Sequence, residues 1–234
     1  MKKKITIHQP DFMPWLGFFN KINKADTFVV LDHTHNNPRD SSFWCRRVKI
    51  LLNSNEFWLS VPLNKPPKGI MTQAINEMTI NENQPKEFTK KLQQIRQSYT
   101  KHPYFEEVFP IIEDYMINDN VSLFDRNMGF IKRIMNLLEI NTEIVYSSSL
   151  NCTNYSTELL IEIIKKLKGD IYLCGGGSSG YQKDVMYEQN NIALEYNNFC
   201  HPEYSQKKMN TFVAGLSIID PLMNLGFEEV KKIL

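Results

Sequence analysis

The chain has 234 residues, 42% of them hydrophobic and 23% charged, enough apolar material to close a core without staples and too much for a disordered segment. A balance of 27 Lys+Arg against 26 Asp+Glu leaves a formal charge of +1, so no global field holds a nucleic acid and any anion recognition is local. Four cysteines form neither a CxxC pair nor a disulfide framework, which fits a cytoplasmic protein, and no run reaches the roughly eighteen apolar residues of a membrane span.

Lys2, Lys3 and Lys4 precede an apolar stretch broken at His8, Gln9 and Asp11, which reads as a mature amino terminus rather than a signal peptide. Ile5-Thr6-Ile7 predicts a strand. Trp15, Phe18, Phe19 and Ile22 recur at helical spacing, and 27–31 predicts a second, buried strand. A strand, polar loop, helix and strand within about thirty residues form a βαβ unit and imply a parallel sheet.

Next, 43–52 and 56–63 predict a hairpin around Asn53-Ser54-Asn55, and the alternation at 75–80 predicts a returning strand. The middle third changes character. Segments 85–100, 103–117 and 122–138 have helical periodicity, with Ser122 as the N-cap of the last. Strands and helices then alternate through 143–146, 156–168, 171–174, 184–189 and 192–196. A helix pair broken near Gly226 closes the chain. The expected fold is α/β, a mostly parallel sheet flanked by helices, in one domain over 1–234 with a helical insertion at about 84–140.

Open α/β sheets bind ligands at the carboxyl ends of their strands. Three polar segments adjoin such ends. His8-Gln9 begins a loop that runs to Trp15 and opens a helix, giving an acid/base candidate, an amide and a stacking ring. Equally, His8 and Gln9 would bond the loop backbone while Trp15 fills core. Asp32 closes the second strand. His33 and His35 would share a face on a strand, but nothing at ligand spacing supports a metal. Arg46 and Arg47, on successive strand positions, would face opposite ways, so that at most one serves a pocket.

The third segment, Cys174-Gly175-Gly176-Gly177-Ser178-Ser179-Gly180-Tyr181, offers backbone amides and hydroxyls to an anion, though it matches no phosphate-loop signature. Cys174 at a buried strand end reads as packing. Further on, His201, Tyr204 and Gln206 gather an imidazole, a phenol and an amide. A Ser217, His201 and Asp220 triad lacks a G-x-S-x-G elbow and is set aside.

The runs IHQPDFMPWLGFFNKINKADTFVVLD, FWCRRVKI, FWLSVPL, YLCGGGSSGY, HPEYSQ and LSIIDPLMNLG, in this order over nearly the whole chain, resemble the WbqC-like protein family of bacteria. The chain departs from that family's pattern at Asp11-Phe12-Met13, where Asn-Tyr-Leu is common, and at His33, where a second acid often follows. The resemblance implies a place in surface glycan synthesis, of O-antigen or capsule. The opening is also distantly similar to nucleotidylyltransferases and pantothenate synthetase-like ligases, without their paired histidines.

Together these lead to an expected transferase, passing an acyl or aminoacyl group from an activated donor such as acyl-CoA to the amine of a nucleotide sugar. In that expectation His8 or His201 takes the proton from the attacking amine, and Asp32 orients that base or binds the amine. Gln9, Trp15, Arg46, Gly175, Gly177, Ser178, Ser179, Tyr181, Tyr204 and Gln206 bind substrate. The alternatives are a ligase or nucleotidyl transferase using ATP and magnesium, and a sugar-nucleotide-binding accessory protein.

Overall fold

The structure is a computed structural model, and it describes residues 2–81, 85–176, 183–207 and 209–234. In chain order the first elements are β1 (Lys4–His8), α1 (Leu16–Asn23), β2 (Thr27–Val30), β3 (His35–Asn36), β4 (Arg47–Leu52), β5 (Asn55–Ser60) and β6 (Gln73–Ala74). Three helices follow, α2 (Pro85–Tyr99), α3 (Phe105–Met116) and α4 (Leu123–Leu137). The rest are β7 (Glu143–Tyr146), α5 (Ser156–Lys166), β8 (Ile171–Gly175), α6 (Asp184–Gln189), β9 (Ala193–Asn197) and α7 (Ile219–Lys232). The protein is an α/β fold.

The chain forms two compact units, the first of 1–9, 17–33 and 140–200 and the second of 10–16, 34–139 and 201–234. In the first unit five strands pair in parallel in the order β7-β2-β1-β8-β9. Ile5, Ile7 and Val29 pack with Leu159, Ile163 and Ile164 of α5 and with Tyr187 of α6. From α1, Phe18 meets Phe28 edge-on. A sheet covered on both faces needs strands with no polar face, and β2, TFVV, is buried at every position. Gly169 follows α5 because a Cβ there would lie 2.4 Å from Ile5 Cδ1.

The second unit holds the β4–β5 hairpin, the short β3–β6 pair and helices α2, α3, α4 and α7. Asn53 and Ser54 both take positive φ, the geometry of a tight two-residue hairpin turn. Ser122 caps α4, its Oγ accepting from the Asp125 amide at 3.1 Å. Gly226 breaks α7 with φ 78° and ψ 174°, and the Tyr104 ring fills the space where a Cβ would sit.

Two expectations need correcting. Residues 75–77 form a 3-10 turn rather than a strand, β6 being confined to 73–74. Trp44–Arg46 is also a 3-10 turn, so the hairpin strand begins only at Arg47.

Candidate functional site

The sheet of the first unit grows in two directions from β1. The chain steps outward through β2 and β7, then returns to the other side of β1 with β8 and continues to β9. Crossovers that diverge in this way leave a crevice at the carboxyl ends of the two central strands. Here those strands are β1, ending at His8, and β8, ending at Gly175. Around Gly175 and Gly176 no described atom lies within 4 Å of where a Cβ would be. Gly177, Ser178, Ser179 and Tyr181 lie outside the described residues.

His8 is half-buried, with Phe18 edge-on at 5.2 Å. Its Nδ1 sits 3.0 Å from the Gln9 carbonyl oxygen. A carbonyl can only accept, so Nδ1 carries the proton and the lone pair is on Nε2. Burial and the nearby positive charge of Lys21 lower the His8 pKa to about 3, so the ring is neutral through the physiological range. Lys21 itself is buried, its ammonium 3.4 Å from the Ile7 carbonyl. Sequence reasoning passed over it, although its spacing from Phe18 and Ile22 places it on the apolar face of α1.

Asp32, also buried, accepts from Ser147 Oγ at 2.8 Å, from the Ser148 amide at 2.9 Å and from Ser148 Oγ. The imidazole beside it is that of His33, whose Nδ1 bonds Ser147 Oγ at 2.7 Å. Asp32 thus fastens the serine turn after β7 to the end of β2. Cys174 is buried with its Sγ 3.3 Å from the Glu195 carbonyl. Asn197, at the end of β9, accepts from Lys24 Nζ at 3.2 Å.

The other candidates belong to the second unit. Trp15 and His201 stack at 5.0 Å, tilted by 32°, and burial lowers the His201 pKa. Tyr204 donates its hydroxyl to Asp220 at 2.7 Å, as Tyr99 does at 3.0 Å. Gln206 donates to the Val213 carbonyl and accepts from the Val213 amide, closing the loop between them. Burial raises the Asp220 pKa, and the phenol hydrogen bonds pull it back. Ser217 Oγ donates to the Met13 carbonyl at 2.7 Å. Both ends of the discounted triad are therefore bonded to other partners.

Arg46 and Arg47 do not alternate across a strand as expected, because Arg46 lies in the 3-10 turn. Arg46 donates to the Pro38 carbonyl and Arg47 to the Ser41 carbonyl. His35 is exposed in β3, and no group of three His, Cys, Asp or Glu among the described residues is arranged to hold a metal. A cavity of about 450 Å³ opens between α3 and α4. Its arginines Arg126 and Arg133 are matched by Asp114 and Asp125, so it offers no surplus charge to a ligand.

Among the described residues no helix is long and apolar enough to cross a membrane. The WbqC-like protein family matches residues 9–232. A protein of Mycobacterium tuberculosis named uncharacterized protein Rv1507c is 25% identical over 232 residues, covering 97% of this chain and 95% of its own length. No solved structure matches the chain.

Proposed function

The chain belongs to the WbqC-like protein family, and we propose that it is a transferase passing an acyl or aminoacyl group to the amine of a nucleotide-activated amino sugar for a surface glycan. The observation that carries this reading is that the neighbouring strands β1 and β8 end at neutral His8 and at Gly175, on either side of the point where the sheet order reverses. Such a crevice suits a phosphate-bearing metabolite, because backbone amides approach it closely where no side chain intervenes.

In the proposed step the amine nitrogen attacks the donor's carbonyl carbon, the new C–N bond forms and the bond to the leaving group breaks. The proton shed by nitrogen passes to His8 Nε2 and on to the leaving thiolate. A pKa of about 3 makes His8 a weak acceptor in the first hand-over and a ready donor in the second, and Lys21 would steady negative charge on the phosphate or leaving group. Asp32 acts by holding the serine turn at the end of β7, and His201 is the competing base.

A second reading draws on one side of the sheet, where β1, β2 and β7 lie side by side in chain order as the strands of a mononucleotide-binding half do. It is an ATP-dependent ligase or nucleotidyl transferase. The deciding assay incubates the protein with UDP-amino sugars and acetyl-CoA, then separately with a carboxylic acid, ATP and magnesium, and reads product mass and pyrophosphate. Acylated product without ATP, lowered about a hundredfold or more by His8→Ala, is the expected result. Product only with ATP and pyrophosphate release selects the ligase. Full turnover in His8→Ala, Asp32→Ala and His201→Ala removes the catalytic assignment and leaves a sugar-nucleotide-binding accessory protein.

A further inference from the structure

The three tryptophans of this chain, Trp15, Trp44 and Trp58, all belong to the second unit. Trp15 and Trp44 line one small hollow with Arg47 and Val48. Trp44 and Trp58 touch, their ring centres 5.3 Å apart. Both stay open to solvent, at 47% and 40% exposure. Two adjacent indoles thus keep much of their apolar ring surface in water, available to a ligand.

The arginines beside them are also incompletely satisfied. The Arg47 guanidinium lies over the Trp58 ring, 3.8 Å from its centre. Arg46 and Arg47 each spend one Nη on a backbone carbonyl, and the Nε of each is buried without a hydrogen-bond partner. Neither makes a salt bridge among the described residues. Partial burial, and after it the positive charge of Arg47, depress the Arg46 pKa. Asp11 lines the same hollow and accepts from Cys45 Sγ at 3.7 Å. Asp11 and Arg47 are the charged residues that line the hollow, and Arg46 precedes Arg47 in the chain without lining it.

Exposed ring faces beside fork-shaped cations suit a ligand that carries a flat ring next to an anion. We propose that Trp44, Trp58, Arg46 and Arg47 form a binding subsite for a phosphate-bearing ring compound, either a nucleotide or a sugar phosphate. The indoles take the ring and the guanidiniums take the phosphate. This subsite stands independently of the transfer reaction proposed above.

Because every tryptophan of the chain lies in this unit, intrinsic fluorescence reports directly on the subsite. The full-length protein is titrated with UDP, glucose 1-phosphate, inorganic phosphate and glucose. The expected result is saturable quenching by UDP or by glucose 1-phosphate, weakened at least tenfold for Arg47→Ala and for Arg46→Ala and by raised salt. Quenching by UDP alone marks a nucleotide site, and quenching by glucose 1-phosphate marks a sugar-phosphate site. Calorimetry on Trp44→Ala and Trp58→Ala, with their folding checked by circular dichroism, is expected to show the same loss. The proposal is overturned if no probe binds up to millimolar concentration, if glucose binds as well as its phosphate, or if inorganic phosphate alone binds as tightly as either ring compound. Unchanged calorimetric affinity in the tryptophan variants overturns it equally.

Discussion

In the first unit the strand ladder satisfies the backbone, and the buried polar side chains work at strand ends, as Asp32 does with Ser147 and Ser148. In the second unit long stretches run outside regular structure, and buried side chains take over the bonding. Asn127, fully buried, donates to the Pro10 carbonyl at 2.8 Å and the Cys45 carbonyl at 2.7 Å while accepting from the Tyr115 hydroxyl at 2.7 Å. Asp220 binds Tyr99 and Tyr204 in the same manner. Buried backbone groups need partners, so a segment without a ladder recruits polar side chains for its own support. Buried polar residues of the second unit are therefore first of all fastenings. Arg46 and Arg47, both half-buried, differ because each fastens a carbonyl through Nη while its buried Nε is left without a hydrogen-bond partner.

This contrast breaks most visibly at Asn127. Asn127→Ala removes three buried hydrogen bonds and is expected to cost about 3–5 kcal/mol in urea denaturation. Asp32→Ala is expected to cost only about 2 kcal/mol, since the exposed Ser148 hydroxyl turns to water. Equal losses at the two positions would erase the distinction between the units.

The third expected effect concerns pH. His8 has a folded pKa of about 3 against 6.5 when unfolded, so between those values the unfolded chain binds more protons. Its contribution is fully present above pH 6.5 and is lost as pH falls from there toward 3, by up to about 1.4 kcal/mol per pH unit. His201, also depressed, adds slope of the same sign. Denaturation at stepped pH in His8→Gln is expected to show a clearly shallower acid slope, and an unchanged slope would mean that the ring is not desolvated. The smallest effect belongs to an ordinary helix end of the second unit. Ser122→Ala removes the α4 cap and is expected to lower stability by about 1 kcal/mol.

Much of the first unit was legible because parallel strands buried on both faces write themselves as apolar runs, as in TFVV of β2. The hairpin turn at Asn53-Ser54, the cap at Ser122 and the break at Gly226 were legible for local reasons, through side chains or backbone angles that few residues supply. The 3-10 turns at 44–46 and 75–77 were not, because their residues also suit an extended strand. Of the candidate residues, Lys21 was missed, since a lysine reads as solvated until its helix face is known.

The division of the opening motif lies beyond any local reading. A βαβ start, a parallel sheet, a helical middle third and a polar segment at each central strand end are all written in patterns that repeat over a few residues. That His8 and Gln9 stay with the sheet while 10–16 join the second unit is settled by long-range packing instead. Pro10 is held there by Asn127, 117 residues further along the chain. A bond over such a separation leaves no periodic mark, because it depends on where two folded segments come to rest.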